Sequence, residues 1–244
     1  MALGRSLALY FGVLGLLLSA CATAPRLPTA GSFMAQGDPV AAPSGFVEMC
    51  RSDPAECVRS AALETPSPRV PALTPDHWAL LEKVNHNANQ RIRSVSDERL
   101  YGVPERWTDP LAGHLDSRNF IAAGDCEDFA LAKRDMLLEA GWPADAMFIA
   151  VGYHVQLGPH AVLVARTDRG DFVLDSRTPW ITPWTQTPYL WVKRQLAANS
   201  TSWVRAFAPP AVLTASRQLA AQSATAALLA QTQDGGPPSG APGS

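Results

Sequence analysis

An excess of positive charge is missing from this sequence: 20 Lys+Arg stand against 22 Asp+Glu, a formal net charge of −2 over 244 residues. A nucleic-acid binder needs a basic face to neutralise phosphates, so no nucleic-acid partner is expected. Internal repeats are also absent, which excludes a solenoid or a bladed array. Cysteine is scarce, with four residues in the chain, so each has to be accounted for. What is there is a 47% apolar fraction, enough for one domain with a real core, and 17 Gly and 21 Pro crowded toward the two ends.

The N-terminus reads as an export segment. Arg5 is followed by an almost wholly apolar stretch, Leu7 to Leu18, too short to span a membrane comfortably, and then by Ser19, Ala20 and Cys21. Leu18-Ser19-Ala20-Cys21 resembles a bacterial lipobox, in which the Cys is acylated and the chain is cut just before it. Simple export is the competing reading, because Ala20-Cys21-Ala22 and Ala22-Thr23-Ala24 both look like small-residue cleavage sites. On either reading the mature chain works outside the cytoplasm; the lipobox implies a periplasmic protein anchored to a membrane through Cys21. Residues 1–21 are thus expected as signal, 22–45 as a Pro/Ala-rich tether, 46–210 as the folded domain and 211–244 as a low-complexity, disordered tail.

Within the domain, Thr74-Pro75-Asp76 marks a helix start, and Trp78, Leu81, Asn85, Ala88 and Ile92 follow at helical spacing. Residues 101–119 read as a long loop. A second helix is expected from Cys126 to Ala140, with Phe129, Ala130, Met136, Leu137 and Ala140 facing the core and Gly141 stopping it. The period then changes to two, giving strands over 147–155, 160–166 and 172–175, the last two joined by the turn Thr167-Asp168-Arg169-Gly170. Helices followed by an antiparallel sheet make an α+β fold.

Cysteine usage points at one thiol. Cys50 and Cys57 are seven residues apart, and in an oxidising compartment that pair closes a small disulfide loop. Two free thiols, or metal ligation without an obvious His partner, are the lesser alternatives. Cys126 is then left alone at a predicted helix N-terminus, where unpaired backbone N–H groups favour a thiolate and can stabilise an oxyanion. The neighbouring Asp125, Glu127 and Asp128 act the other way, so an imidazolium or a bound cation has to offset them. Among the five His, only His160 opens a strand that leads to a matched acid. Pairing Arg166 with Asp171 around the turn sets Val162 opposite Asp175 and makes His160 a diagonal neighbour of Asp175, about 7–8 Å away between Cα atoms. Each of these residues alone is more simply structural; the ordered Cys126, His160, Asp175 set points to nucleophile, base and orienting acid.

The segments Gly124-Asp125-Cys126-Glu127-Asp128, Gly141-Trp142, His160 to Val164 and Asp171 to Asp175 together resemble the bacterial transglutaminase-like cysteine proteinases. Val84-Asn85, Tyr101-Gly102-Val103, Trp107 and Tyr189 to Arg194 add to the resemblance, which covers about Phe46 to Phe207. It implies a papain-like core, N-terminal helices packed on an antiparallel sheet, and a cysteine peptidase. The LapG-like periplasmic proteases of that family clip large surface adhesins, releasing cells from biofilm, and are held by an inner-membrane cyclic-di-GMP receptor. They bind Ca²⁺ through acids beside the nucleophile, which map here onto Asp125, Glu127 and Asp128. The lipobox and the Ala/Pro/Gly-rich tail depart from that pattern. An acyl transferase or amidase on the same three residues, or a non-catalytic envelope lipoprotein, are the alternatives; an intact Cys-His-Asp set counts against the last.

Overall fold

The computed structural model describes residues 27–59, 70–114, 119–196 and 199–207. The signal segment, the lipobox cysteine and the C-terminal tail lie outside the described residues.

The helical part comes first. Helices α1 (Ser44–Ser52) and α2 (Pro54–Arg59) are joined by a Cys50–Cys57 disulfide with Cα atoms 4.7 Å apart, the pairing expected from the spacing. Helix α3 (Pro75–Arg91) begins where Thr74 predicts, with the Thr74 hydroxyl accepting the His77 N–H. Its buried side is Leu81, Val84, Asn85, Ala88 and Arg91. Ile92 is not part of that stripe: the chain turns extended there and opens strand β1 (Ile92–Ser94). A one-turn helix α4 (Asp97–Tyr101) follows, and strand β2 (Ala122–Gly124) returns to pair with β1 in parallel.

Helix α5 (Cys126–Glu139) is the central element. Phe129, Ala130 and Leu137 are buried as expected, Met136 is half-buried, and Ala140 is exposed just beyond the helix end. Gly141 takes a φ of 84°, ending the helix with its N–H bonded to the Leu138 carbonyl. A one-sided apolar stripe understates this helix. It lies between the sheet on one side and α3 with the β1–β2 pair on the other, so the successive charged residues Lys133, Arg134 and Asp135 are buried as well.

The main sheet is antiparallel, in the order β6-β5-β4-β3-β7-β8: β3 (Met147–His154), β4 (Gly158–Thr167), β5 (Gly170–Leu174), β6 (Thr182–Pro183), β7 (Leu190–Leu196) and β8 (Asn199–Arg205). Arg166 faces Asp171 around the turn and Leu163 faces Leu174, which is the register read from the sequence. The burial period is not two, however. Strand β4 is buried continuously from His160 to Ala165 because both faces of the sheet are covered. One face packs Ala161, Leu163 and Ala165 against α5, α1 and α3. The other gathers Phe148, Val162, Val164, Val173, Trp191 and Met34.

Met34 belongs to the stretch expected as a tether, and this part of it is not free. Its backbone N–H is held by Asp171 Oδ2 at 2.7 Å and its carbonyl by Arg194 Nη2 at 3.1 Å; the Gly31 N–H meets the Arg169 carbonyl, and Pro39 forms a bridge with Val204. Composition suggested a spacer; the pairing partners that hold this segment lie more than a hundred residues away. Among the described residues no helix is long and apolar enough to cross a membrane.

Candidate active site

Helix α5 starts at the end of β2, and its first residue is Cys126. Gly124 makes that start compact: a Cβ there would lie 2.5 Å from Asp128 Oδ2 and 2.7 Å from Asp128 Cβ. The Asp128 carboxylate fills this space, reaching back to the Asp125 N–H at 3.3 Å and accepting the Thr108 N–H at 2.8 Å and hydroxyl at 3.2 Å. The thiol is the one free cysteine of the described residues. Its Sγ accepts the Ala161 N–H at 3.3 Å and donates to Glu127 Oε2 at 3.3 Å. The nucleophile candidate is therefore pinned to the strand one residue along from His160.

His160 is buried, with Nε2 2.7 Å from Asp175 Oδ1, so Nε2 carries the proton. Its Nδ1 is a buried nitrogen without a hydrogen-bond partner, the basic position left over. Asp175 sits just past β5. Its Oδ1 also accepts the Arg177 N–H at 2.9 Å, and its Oδ2 accepts the Tyr189 hydroxyl at 2.5 Å. Its backbone carbonyl is held by Asn89 of α3 at 2.9 Å, and the preceding carbonyl by Lys133 of α5 at 3.4 Å. Burial alone raises a carboxyl; here the His160 contact and the other donors outweigh it and hold Asp175 at about 2. The three residues read from the sequence are thus brought to one place, at the N-terminus of α5 and the adjoining ends of β4 and β5.

The acids beside Cys126 divide differently from the sequence reading. Asp97, Asp125 and Glu127 offer carboxylate oxygens that all lie within 4.8 Å of one another. Asp128 is not in this group; both of its oxygens accept hydrogen bonds inside the fold. Asp97 was not singled out from the sequence; it arrives on α4, with its backbone N–H on Asp125 Oδ2 at 3.2 Å. Its own Oδ2 accepts the Arg106 N–H, while Asp97 Oδ1 and Asp125 Oδ1 are buried and have no hydrogen-bond partner. Burial, then Asp125, push Glu127 up to about 10. Burial likewise carries Asp128 to about 8 against the Thr108 N–H, and Asp97 is raised by burial and by Asp125. Buried oxygens with nothing to satisfy them and an all-carboxylate donor set fit a hard divalent cation. The Cys126 thiol responds to the same surroundings: burial first, then the Glu127 charge, push it well up, with the Ala161 N–H working against them.

Among the solved structures similar to this chain, EGTA-treated LapG of Legionella pneumophila is 29% identical over 48% of this chain and 62% of its own length, with a TM-score of 0.40. The calcium-bound form is 22% identical over 69% of this chain and 86% of its own, with a TM-score of 0.44. No curated protein matches. The family model described as bacterial transglutaminase-like cysteine proteinase matches residues 36–208, and the chain belongs to this family of cysteine peptidases.

Proposed function

We propose that this protein is an exported cysteine endopeptidase in which Cys126 is the nucleophile, His160 the base and Asp175 the acid that orients it. The observation that carries the reading is the 2.7 Å His160–Asp175 contact one residue from the N–H that holds Cys126 Sγ. Asp175 keeps the Nε2–H tautomer, which leaves Nδ1 to take the thiol proton. The thiolate then attacks a peptide carbonyl, the oxyanion meets backbone N–H groups at the start of α5, and His160 returns the proton to the leaving amine. Water, activated by the same nitrogen, releases the acyl group from sulfur.

Asp97, Asp125 and Glu127 would hold Ca²⁺, in place of the set Asp125, Glu127 and Asp128. The ion would supply the positive charge that keeps these carboxylates ionised and ordered beside Cys126. The substrate we infer is a protein of the cell surface, a large adhesin, with an inner-membrane cyclic-di-GMP receptor as regulator and a lipid anchor at Cys21 keeping the enzyme in the periplasm. These follow from the family resemblance and from the lipobox.

The test is Cys126→Ala in purified protein and in cells. Little volume is removed from a half-buried site, so the thermal midpoint should stay within a few degrees while proteolysis of a casein substrate falls to background. In cells, mapping of new protein N-termini should show a surface-protein cleavage present with the natural enzyme and missing with Cys126→Ala. Casein turnover unchanged in the variant would reject the nucleophile.

A further inference from the structure

The second oxygen of Asp175 and the His160 ring both meet one residue, Tyr189. Its hydroxyl donates to Asp175 Oδ2 at 2.5 Å, and its ring centroid lies 5.3 Å from that of His160 and 5.4 Å from that of Trp191. Two features of the sheet make room for it. In β3, Gly152 stands opposite His160 of β4 on one side and Trp191 of β7 on the other. A Cβ at 152 would come within 3.0 Å of Tyr189 Cβ and 3.2 Å of Trp191 Cε3, so the missing side chain is the seat of Tyr189. In β7 the register slips: Val151 pairs with Lys193 but Gly152 with Trp191, leaving Val192 as a bulge exposed to solvent. A bulge re-aims the side chains beyond it, and here those are Trp191 and Tyr189.

Resting on the Cys-His-Asp reading, we propose that Tyr189 is a positioning residue of the catalytic site, seated by Gly152 and the Val192 bulge, that fixes the Asp175 carboxylate and the plane of the His160 ring. A carboxylate held by one oxygen can rotate away from its imidazole. With Oδ2 tied to Tyr189, Oδ1 stays on Nε2, and Nδ1 is kept as the nitrogen without a proton. Burial and the Asp175 charge push the phenol's ionisation upward, so Tyr189 remains a donor.

The probe is p-nitrophenyl acetate, which acetylates a reactive thiol with release of p-nitrophenolate and is then hydrolysed from it to acetate. Tyr189→Phe removes only the hydroxyl. It should lower kcat about tenfold with KM within twofold and the thermal midpoint within a few degrees. Gly152→Ala should lower kcat similarly, and adding it to Tyr189→Phe should cost much less than the product of the two single effects, since both act through one contact. Asp175→Asn and Cys126→Ala are run beside them. Natural kcat in Tyr189→Phe, with Asp175→Asn impaired, overturns the positioning role and leaves the triad standing. A change in KM alone makes Tyr189 a residue that contacts substrate rather than one that positions Asp175, and also overturns it. Natural kcat in Asp175→Asn and Cys126→Ala would remove the triad reading, and this one with it.

Discussion

Two groups of buried carboxylates stand on either side of Cys126, and they are treated oppositely. Asp175 has both oxygens occupied, by His160, the Arg177 N–H and the Tyr189 hydroxyl, and is held at about 2. Glu127, equally buried, has acids for neighbours and is pushed to about 10. Burial acts in the same direction on both. The difference comes from whether the fold itself supplies donors. The Asp175 corner is completed by protein groups. The Asp97–Asp125–Glu127 corner leaves two buried oxygens unmatched, and under the proposed function a cation from outside would complete it. Asp128 is intermediate: its oxygens are matched by N–H and O–H groups, yet burial first, and then neighbouring Asp125 and Asp97, still raise it.

The largest effect should come from breaking the completed corner. Asp175→Asn is expected to lower kcat by about three to four orders of magnitude, the cost of losing the orienting carboxylate of such a triad. Stability should change with a definite sign. The folded pKa of about 2 lies below the unfolded value of 3.8, so the ionised form stabilises the fold above pH 4, and this is lost as pH falls through 2. The contribution at pH 7 is about 2 kcal/mol. Urea midpoints should therefore separate the natural protein from Asp175→Asn at pH 7 and converge near pH 2. A constant separation across that range would mean that the charge of Asp175 contributes nothing to folding.

That this corner was legible in the sequence, and the other one only half so, has a physical cause. His160 and Asp175 are joined by a tight turn, and one turn fixes the register of a whole hairpin, here Arg166 with Asp171 and Leu163 with Leu174. Thr74, Gly141 and the Cys126 helix start are similarly local signals. Asp97 reaches Asp125 through the parallel β1–β2 pair, three residues long in each strand, joined by a connection of 27 residues from Ser94 to Ala122. Strands that short carry no readable period. The Met34 strap and the Val192 bulge were missed for the same reason: their partners are distant, and a bulge leaves no mark in apolar alternation. Tyr189 was noted only as part of a family resemblance. The donor role of its hydroxyl becomes visible once β7 is placed beside β3.

The next effect sharpens the comparison from the incomplete side. Chelator-treated protein should melt lower than the same protein in Ca²⁺, with the ion adding about 2.7 kcal/mol at a hundredfold excess over its Kd. In a domain of this size that is a rise of roughly 5–10 °C. Mg²⁺ should restore little, because it dehydrates reluctantly and demands a tighter octahedron. Asp97→Asn should erase the calcium response, whereas Asp128→Asn should keep it while lowering the melting point in both conditions, since Asp128 caps the helix. Calorimetric titration showing no heat at millimolar Ca²⁺ would reject the cation site. A response lost in Asp128→Asn but kept in Asp97→Asn would restore the ligand set first read from the sequence.

The smallest effect concerns the buried cation behind Asp175. Lys133 is fully buried, reaches the Leu174 carbonyl at 3.4 Å, and lies over the Phe129 ring at 5.8 Å. Burial pulls it down to about 7, with the Asp175 charge acting the other way. Between pH 7 and its ordinary value of 10.5 the unfolded chain holds a proton that the folded one does not, so stability rises with pH across that window. Lys133→Met keeps the length and apolar stem and removes the charge. At pH 6 the variant should be as stable as the natural protein or about 1 kcal/mol more so, because a buried ammonium with one weak partner is costly. At pH 9 the advantage should shrink or reverse, as the natural lysine is by then neutral. The measurement is the difference between the two urea midpoints at pH 6 and pH 9, which cancels every other titrating group. Parallel curves would mean that Lys133 stays charged in the folded protein, paired with Asp175 more strongly than the 3.4 Å carbonyl contact implies, and that the Asp175 corner depends on a cation of its own.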